Sequence, residues 1–212
     1  RIGLPRYDHA NIRLAGKILP RLEKVFVFIR MDVDIDFENI YAGELQEEFP
    51  NICIHVVSNP DFAKAELIIR SAGSGDSAIV NLNPGWADET GRFLFGEEYI
   101  EDLVKRFDIP VFQFLRTGLG SGLTGGAGLR RSDIGRAAGS FGHQMIIEGK
   151  ILNRDLTWPD LEHYYTDYNM LVRYGSSVKL LPEGTEVINL PPTFWIRYKR
   201  LIQFTALAMF VI

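Results

Sequence analysis

Asn51-Ile52-Cys53-Ile54-His55-Val56-Val57, Ala65-Glu66-Leu67-Ile68-Ile69-Arg70 and Ser77-Ala78-Ile79-Val80-Asn81-Leu82 are three short apolar runs following one another closely. Asn59-Pro60-Asp61 and the Gly/Ser segment Ser71 to Asp76 separate them with residues that favour turns. Read as three strands in succession, they leave no helix to carry a parallel crossover. The reading predicts an α+β fold, a mixed sheet of mostly consecutive strands packed by helices on one side, rather than a doubly wound parallel sheet.

Working outward, Val25-Phe26-Val27-Phe28-Ile29 is β-branched and aromatic with no polar alternation, the pattern of a buried strand, and Pro110 to Leu115 reads as another. Apolar residues recur at helical spacing over Tyr7 to Leu22, Phe37 to Phe49 and Glu97 to Phe107. Asp133 to Glu148 is a further predicted helix. Thr157 to Tyr174, with Pro159 near its start, is another. Asp32, Asp34 and Asp36 have a calcium-loop spacing but lack the glycine and the distal glutamate, and read as a solvated turn.

The 212 residues suit one domain, and the 46 % apolar and 24 % charged content is that of a globular chain. A net charge of −4 gives no bulk attraction to nucleic acid. The single Cys53 sits in an apolar run and reads as a buried, inert thiol. An opening on Arg1 is expected of a chain whose signal segment was removed, which implies a secreted or envelope-associated protein, or of a piece of a longer one. Residues 1–196 are expected to form the domain. The apolar residues 197–212 are too few to cross a bilayer, and read as a last core element or as a stub facing a membrane or partner.

The tract Gly118 to Gly128 follows a strand and precedes a helix, where backbone N–H groups can cradle an anion. Gly120, Gly122 and Gly125 match a dinucleotide spacing, and Arg130 and Arg131 add positive charge, but no Gly-Lys-Ser/Thr ending is present. The acid–base candidates are His143, Glu148 and His163. His143 and Glu148 are five apart and so lie on different helix faces, and no two histidines have the i, i+4 spacing of a zinc helix. His55 reads as a core or edge histidine.

Three places resemble the zincin fold of metallopeptidases. Ala65 to Arg70 is similar to its third strand. Ser140-Phe141-Gly142-His143 looks like the second half of a His-Glu-Phe-Gly-His helix. Leu156 to Gly184 resembles the tail of uncharacterised bacterial zincin-like proteins. On this resemblance Gly139 and Ser140 stand where the first zinc ligand and the catalytic glutamate belong, so it implies a fold that keeps no metal site and needs no cofactor.

The expected function is therefore a non-catalytic scaffold or binding subunit. Its protein partner, or a second copy, would be met through Phe194, Trp195, Tyr198 and the apolar tail, with membrane contact at 201–212. A hydrolase or transferase using the glycine tract with His143, and a nucleotide-binding module, are the alternatives.

Overall fold

Val25, Val27 and Ile29 point to one side of a sheet and Phe26 and Phe28 to the other, and all five are buried. A strand apolar on both faces has to be central and covered twice, and the architecture follows from that. The computed structural model describes residues 7–30, 35–73, 76–129, 131–148, 162–192 and Tyr198. Strand β1 (Lys24–Ile29) pairs in parallel with β2 (Cys53–Ser58) on one side and β3 (Ser77–Asn81) on the other. The sheet continues through β6 (Val111–Gln113), β7 (Gly125–Leu129), β8 (Glu162–Asp167) and β9 (Glu186–Ile188), in the order β2-β1-β3-β6-β7-β8-β9. Within this sheet, among the described residues, only the β7–β8 pairing is antiparallel.

Helices α1 (Tyr7–Ile18) and α2 (Ile35–Glu48) pack one face, burying Ile12, Leu14, Ile18 and Leu45 against Val25, Val27 and Val80. Helices α3 (Phe62–Ser71) and α4 (Gly96–Phe107) pack the other, with Ala65, Ile100 and Leu103 against Phe26, Phe28 and Ile79. A short hairpin, β4 (Gly85–Ala87) with β5 (Phe93–Phe95), joins β3 to α4. The described residues thus form a mixed α and β fold whose mostly parallel sheet is packed by helices, on both faces rather than one.

The departure from the sequence reading is local. Residues 65–70 are expected as a strand but lie in α3, because Asp61 caps the helix by accepting from the Lys64 N–H at 2.7 Å. Phe62, Ala65, Ile68, Ile69 and Ala72 then fall on the core side, while Leu67 faces solvent. With a helix between β2 and β3, the chain crosses over β1 and the strands are not consecutive. The predicted helix 157–174 is also displaced: of its described residues, 162–167 form β8 and Tyr168–Arg173 are helical (α6). The zincin-like arrangement does not form, since its third strand is α3 and its tail includes strand β8 at 162–167.

Strands β6 and β7 are parallel yet joined by residues 114–124 without a helix. The connection runs over α4, where a Cβ on Gly118, at φ 87°, would meet Ile100 at 2.9 Å. Gly126 lets β7 press on β6, because a Cβ there would stand 1.8 Å from the Gln113 carbonyl oxygen.

Helix α5 (Arg131–Glu148) leaves the sheet after Leu129, and the chain re-enters at Glu162, its partner across the β7–β8 ladder. Eighteen residues make an arm about 27 Å long. Its end is apolar and uncovered, with Ile146 84 % and Ile147 69 % exposed. Cys53 is exposed rather than buried, since it opens edge strand β2, and its Sγ lies 3.4 Å from His55 Nε2.

Candidate functional site

In an open parallel sheet the connections after neighbouring strands part company where the strand order reverses, and a crevice opens there beyond the strands' carboxyl ends. Here the reversal lies at β1, whose neighbours β2 and β3 are reached in opposite directions. A cleft of about 610 Å³ sits at that place, lined by Arg30, Asn59, Pro60, Asn83, Trp86 and Phe93 together with Gly85 and Ala87. Arg30 directly follows β1, Asn59 follows β2, and Asn83 follows β3.

Asn83 ties the cleft to a buried polar network beneath the lining. Asn81 Nδ2 donates to the Asn83 carbonyl at 2.9 Å and to Gln113 Oε1 at 3.2 Å. The Tyr99 hydroxyl donates to Asn81 Oδ1 at 3.1 Å, and Asn83 Nδ2 donates to the Gly85 carbonyl at 2.7 Å. Gln113 Nε2 donates to the Thr117 carbonyl. Burial pushes the Tyr99 phenol far above its ordinary value, so it stays a neutral donor. Satisfied buried amides of this kind fix side chains in one arrangement. Trp86 is anchored beside them: its indole N–H donates to Asp102 Oδ2 at 3.1 Å, and its ring meets Tyr99 edge-on at 5.2 Å.

The wall carries charge at one point. The Arg30 guanidinium lies over the Phe93 ring, 5.8 Å from its centroid. The described lining contains no serine, cysteine, histidine, aspartate or glutamate. The described lining can orient a ligand by hydrogen bonds and by contact with an aromatic ring. Phe95, 69 % exposed, and Leu115, 40 % exposed, add apolar surface next to β5 and β6, on the same side of the sheet as the cleft.

A larger cavity, about 730 Å³, opens at the opposite edge beside Leu22, Ile69, Asp76, Asp108, Pro110 and Tyr174. It lies at the amino ends of β3 and β6, away from the reversal point. Position in the topology favours the smaller cleft over size.

The residues singled out from sequence lie elsewhere. His143 is exposed on α5, which Glu148 ends. His163 is on β8, with Nε2 3.4 Å from Glu186 Oε2, and Glu186 also holds Arg116. Gly120 packs near Ile188, Gly122 near Val104, and Gly125 stands in β7, so a strand separates the glycine tract from α5. Arg131 begins α5. Arg130, Phe194, Trp195 and residues 199–212 lie outside the described residues. Among the described residues no three His, Cys, Asp or Glu side chains are placed to hold a metal ion, and no helix is long and apolar enough to cross a membrane.

No family model and no curated protein matches the sequence. Solved structures do match by fold. An ABC domain in complex with L-Trp from Streptococcus pneumonia has a TM-score of 0.58 at 13 % identity, over 86 % of this chain and 60 % of that one. The ligand-free, open form of CD0873, a substrate binding protein with adhesive properties from Clostridium difficile, gives 0.55 at 11 %, over 85 % and 59 %. A conserved domain protein from Vibrio cholerae gives 0.51 at 17 %, over 86 % and 60 %. The chain therefore spans about three fifths of the length of each. These neighbours replace the zincin resemblance, which neither the strand order nor the comparisons support.

Proposed function

We propose that this chain is a small-molecule binding lobe, which holds a ligand in the cleft beyond β1 and β3 and closes it against a second folded body. The observation that carries the reading is the make-up of the cleft, where two asparagines, the Phe93 ring and one cation form a described lining without acid–base side chains. Concave sites of a few hundred Å³ with few polar groups among aromatic ones are the usual form of a ligand pocket. The uncovered apolar surface on the cleft side and at the end of α5 supports a covering partner. So does the length of the neighbours, which exceeds that of this chain. The binding role described for two of those neighbours is consistent with the same use of the shared fold.

A panel of small metabolites tested by thermal shift checks the reading, with Ala87→Trp as the blocked control, because Ala87 lines the cleft from an exposed strand position. A compound that stabilises the natural chain and not the Trp variant supports it. If every stabilising compound acts equally on both, the cleft is not the site.

A further inference from the structure

Arg13, Arg70, Arg92, Arg106, Arg116 and Arg173 each close on an aspartate or glutamate oxygen, as expected for a chain with an acidic surplus. Among the described residues Arg21, beside the larger cavity, and Arg30 have no carboxylate partner. Arg30 has the Phe93 ring as its one contact. It is also the only charged side chain in the described lining of the cleft. A guanidinium drawn to an aromatic face keeps its planar fork of N–H donors available to two carboxylate oxygens.

The rest of the lining restricts the ligand further. Phe93 supplies the exposed aromatic wall. The Trp86 indole is buried behind it, its N–H committed to Asp102 and its ring packed among Phe62, Tyr99 and Phe107, so it backs the cleft and offers neither a donor nor a face. Nothing negative in the described lining could receive an ammonium group. A zwitterion anchored on Arg30 would place its cationic end near the guanidinium, where like charges repel.

We infer that the ligand of this cleft is an aromatic monocarboxylate without an ammonium group, its carboxylate held by Arg30 and its ring packed against Phe93. The inference rests on the binding reading above and adds the chemical class. It separates this chain from the fold neighbour that holds L-Trp, which has a comparable ring but carries an ammonium group.

Calorimetric titration of the 212-residue chain with phenylacetate, phenylacetamide and L-phenylalanine tests it. The three probes share a benzyl group and differ in charge, L-phenylalanine carrying one further carbon, so 3-phenylpropanoate serves as its length-matched control. Phenylacetate is expected to bind at least about tenfold more tightly than the amide or the amino acid, and Arg30→Gln to remove that preference while leaving the weak amide binding unchanged. Equal or tighter binding of L-phenylalanine overturns the inference, as does phenylacetate binding that survives Arg30→Gln. If the amide, the amino acid or a neutral sugar binds instead and Ala87→Trp blocks it, the ligand class is wrong while the cleft stands. If Ala87→Trp blocks the binding of none of these compounds, both fall.

Discussion

The carboxamide of Asn11 and the backbone of Ala127 exchange two hydrogen bonds, Nδ2 donating to the carbonyl at 3.0 Å and Oδ1 accepting from the N–H at 2.9 Å. Asn11 is fully buried in α1, and Ala127 is in the middle of β7, beyond the point where β6 ends its pairing. A side chain thus satisfies backbone groups that a longer β6 would otherwise have met. Asn11→Leu leaves both groups buried and unpaired. It is expected to cost about 2–4 kcal/mol in urea unfolding, more than Asn11→Asp, which keeps an acceptor.

The glycines divide into two classes with opposite expected outcomes. Gly126→Ala drives a methyl into the Gln113 carbonyl and is expected to lower the yield of folded protein sharply. Gly139→Ala and Gly142→Ala lie within α5, where a Cβ meets nothing within 4 Å. Each is expected to stabilise the helix by about 0.5–1 kcal/mol, read as slower amide exchange over residues 131–148.

Three buried phenols set an alkaline limit. Burial raises the pKa of Tyr99 and Tyr165 well above 10, and pushes Tyr174 up to about 12. A group whose proton is held more tightly in the folded state stabilises the fold below its unfolded pKa and loses that contribution as pH rises. Stability is expected to fall from about pH 10 upward. Tyrosinate absorbance from these residues should appear together with loss of circular dichroism, and Tyr99→Phe should shift that transition.

The outer edge of β2 is covered by α2. Glu38 accepts from the Ser58 N–H at 2.8 Å and from Lys64 Nζ at 3.2 Å, and Gln46 Oε1 accepts from the Ile54 N–H at 3.2 Å. Desolvation is the largest influence on the Glu38 carboxyl and raises its pKa, but the Ser58 and Lys64 contacts together outweigh it, and the net shift is downward. The sign is that of a carboxylate whose stabilisation is present above its unfolded pKa and fades as pH falls below it. Glu38→Gln should therefore cost stability at pH 7 and little at pH 3. It should also raise self-association, because it weakens the guard on an edge strand.

What could be read from the chain follows its periodicity. Val25 to Ile29 and Glu97 to Phe107 are unambiguous, since one is continuously apolar and β-branched and the other strongly amphipathic. Leu67-Ile68-Ile69 fits either period, and the decision lay in the Asp61 cap just upstream. Tyr164-Tyr165-Thr166 carried a strand preference that the helix reading of 157–174 passed over. The site itself is dispersed. Arg30, Asn59 and Asn83 match no motif, and become neighbours only when α3 turns β1, β2 and β3 into parallel strands with a common carboxyl edge. Misreading one helix hid both the topology and the cleft.

Backbone amide shifts during titration with phenylacetate test the central claim most directly, because they report where the ligand goes as well as whether it binds. The account predicts movement at Arg30, Asn59, Asn83 and Gly85, with Asp76, Asp108 and Gly175 at the opposite edge unmoved. Movement confined to that second group would contradict it.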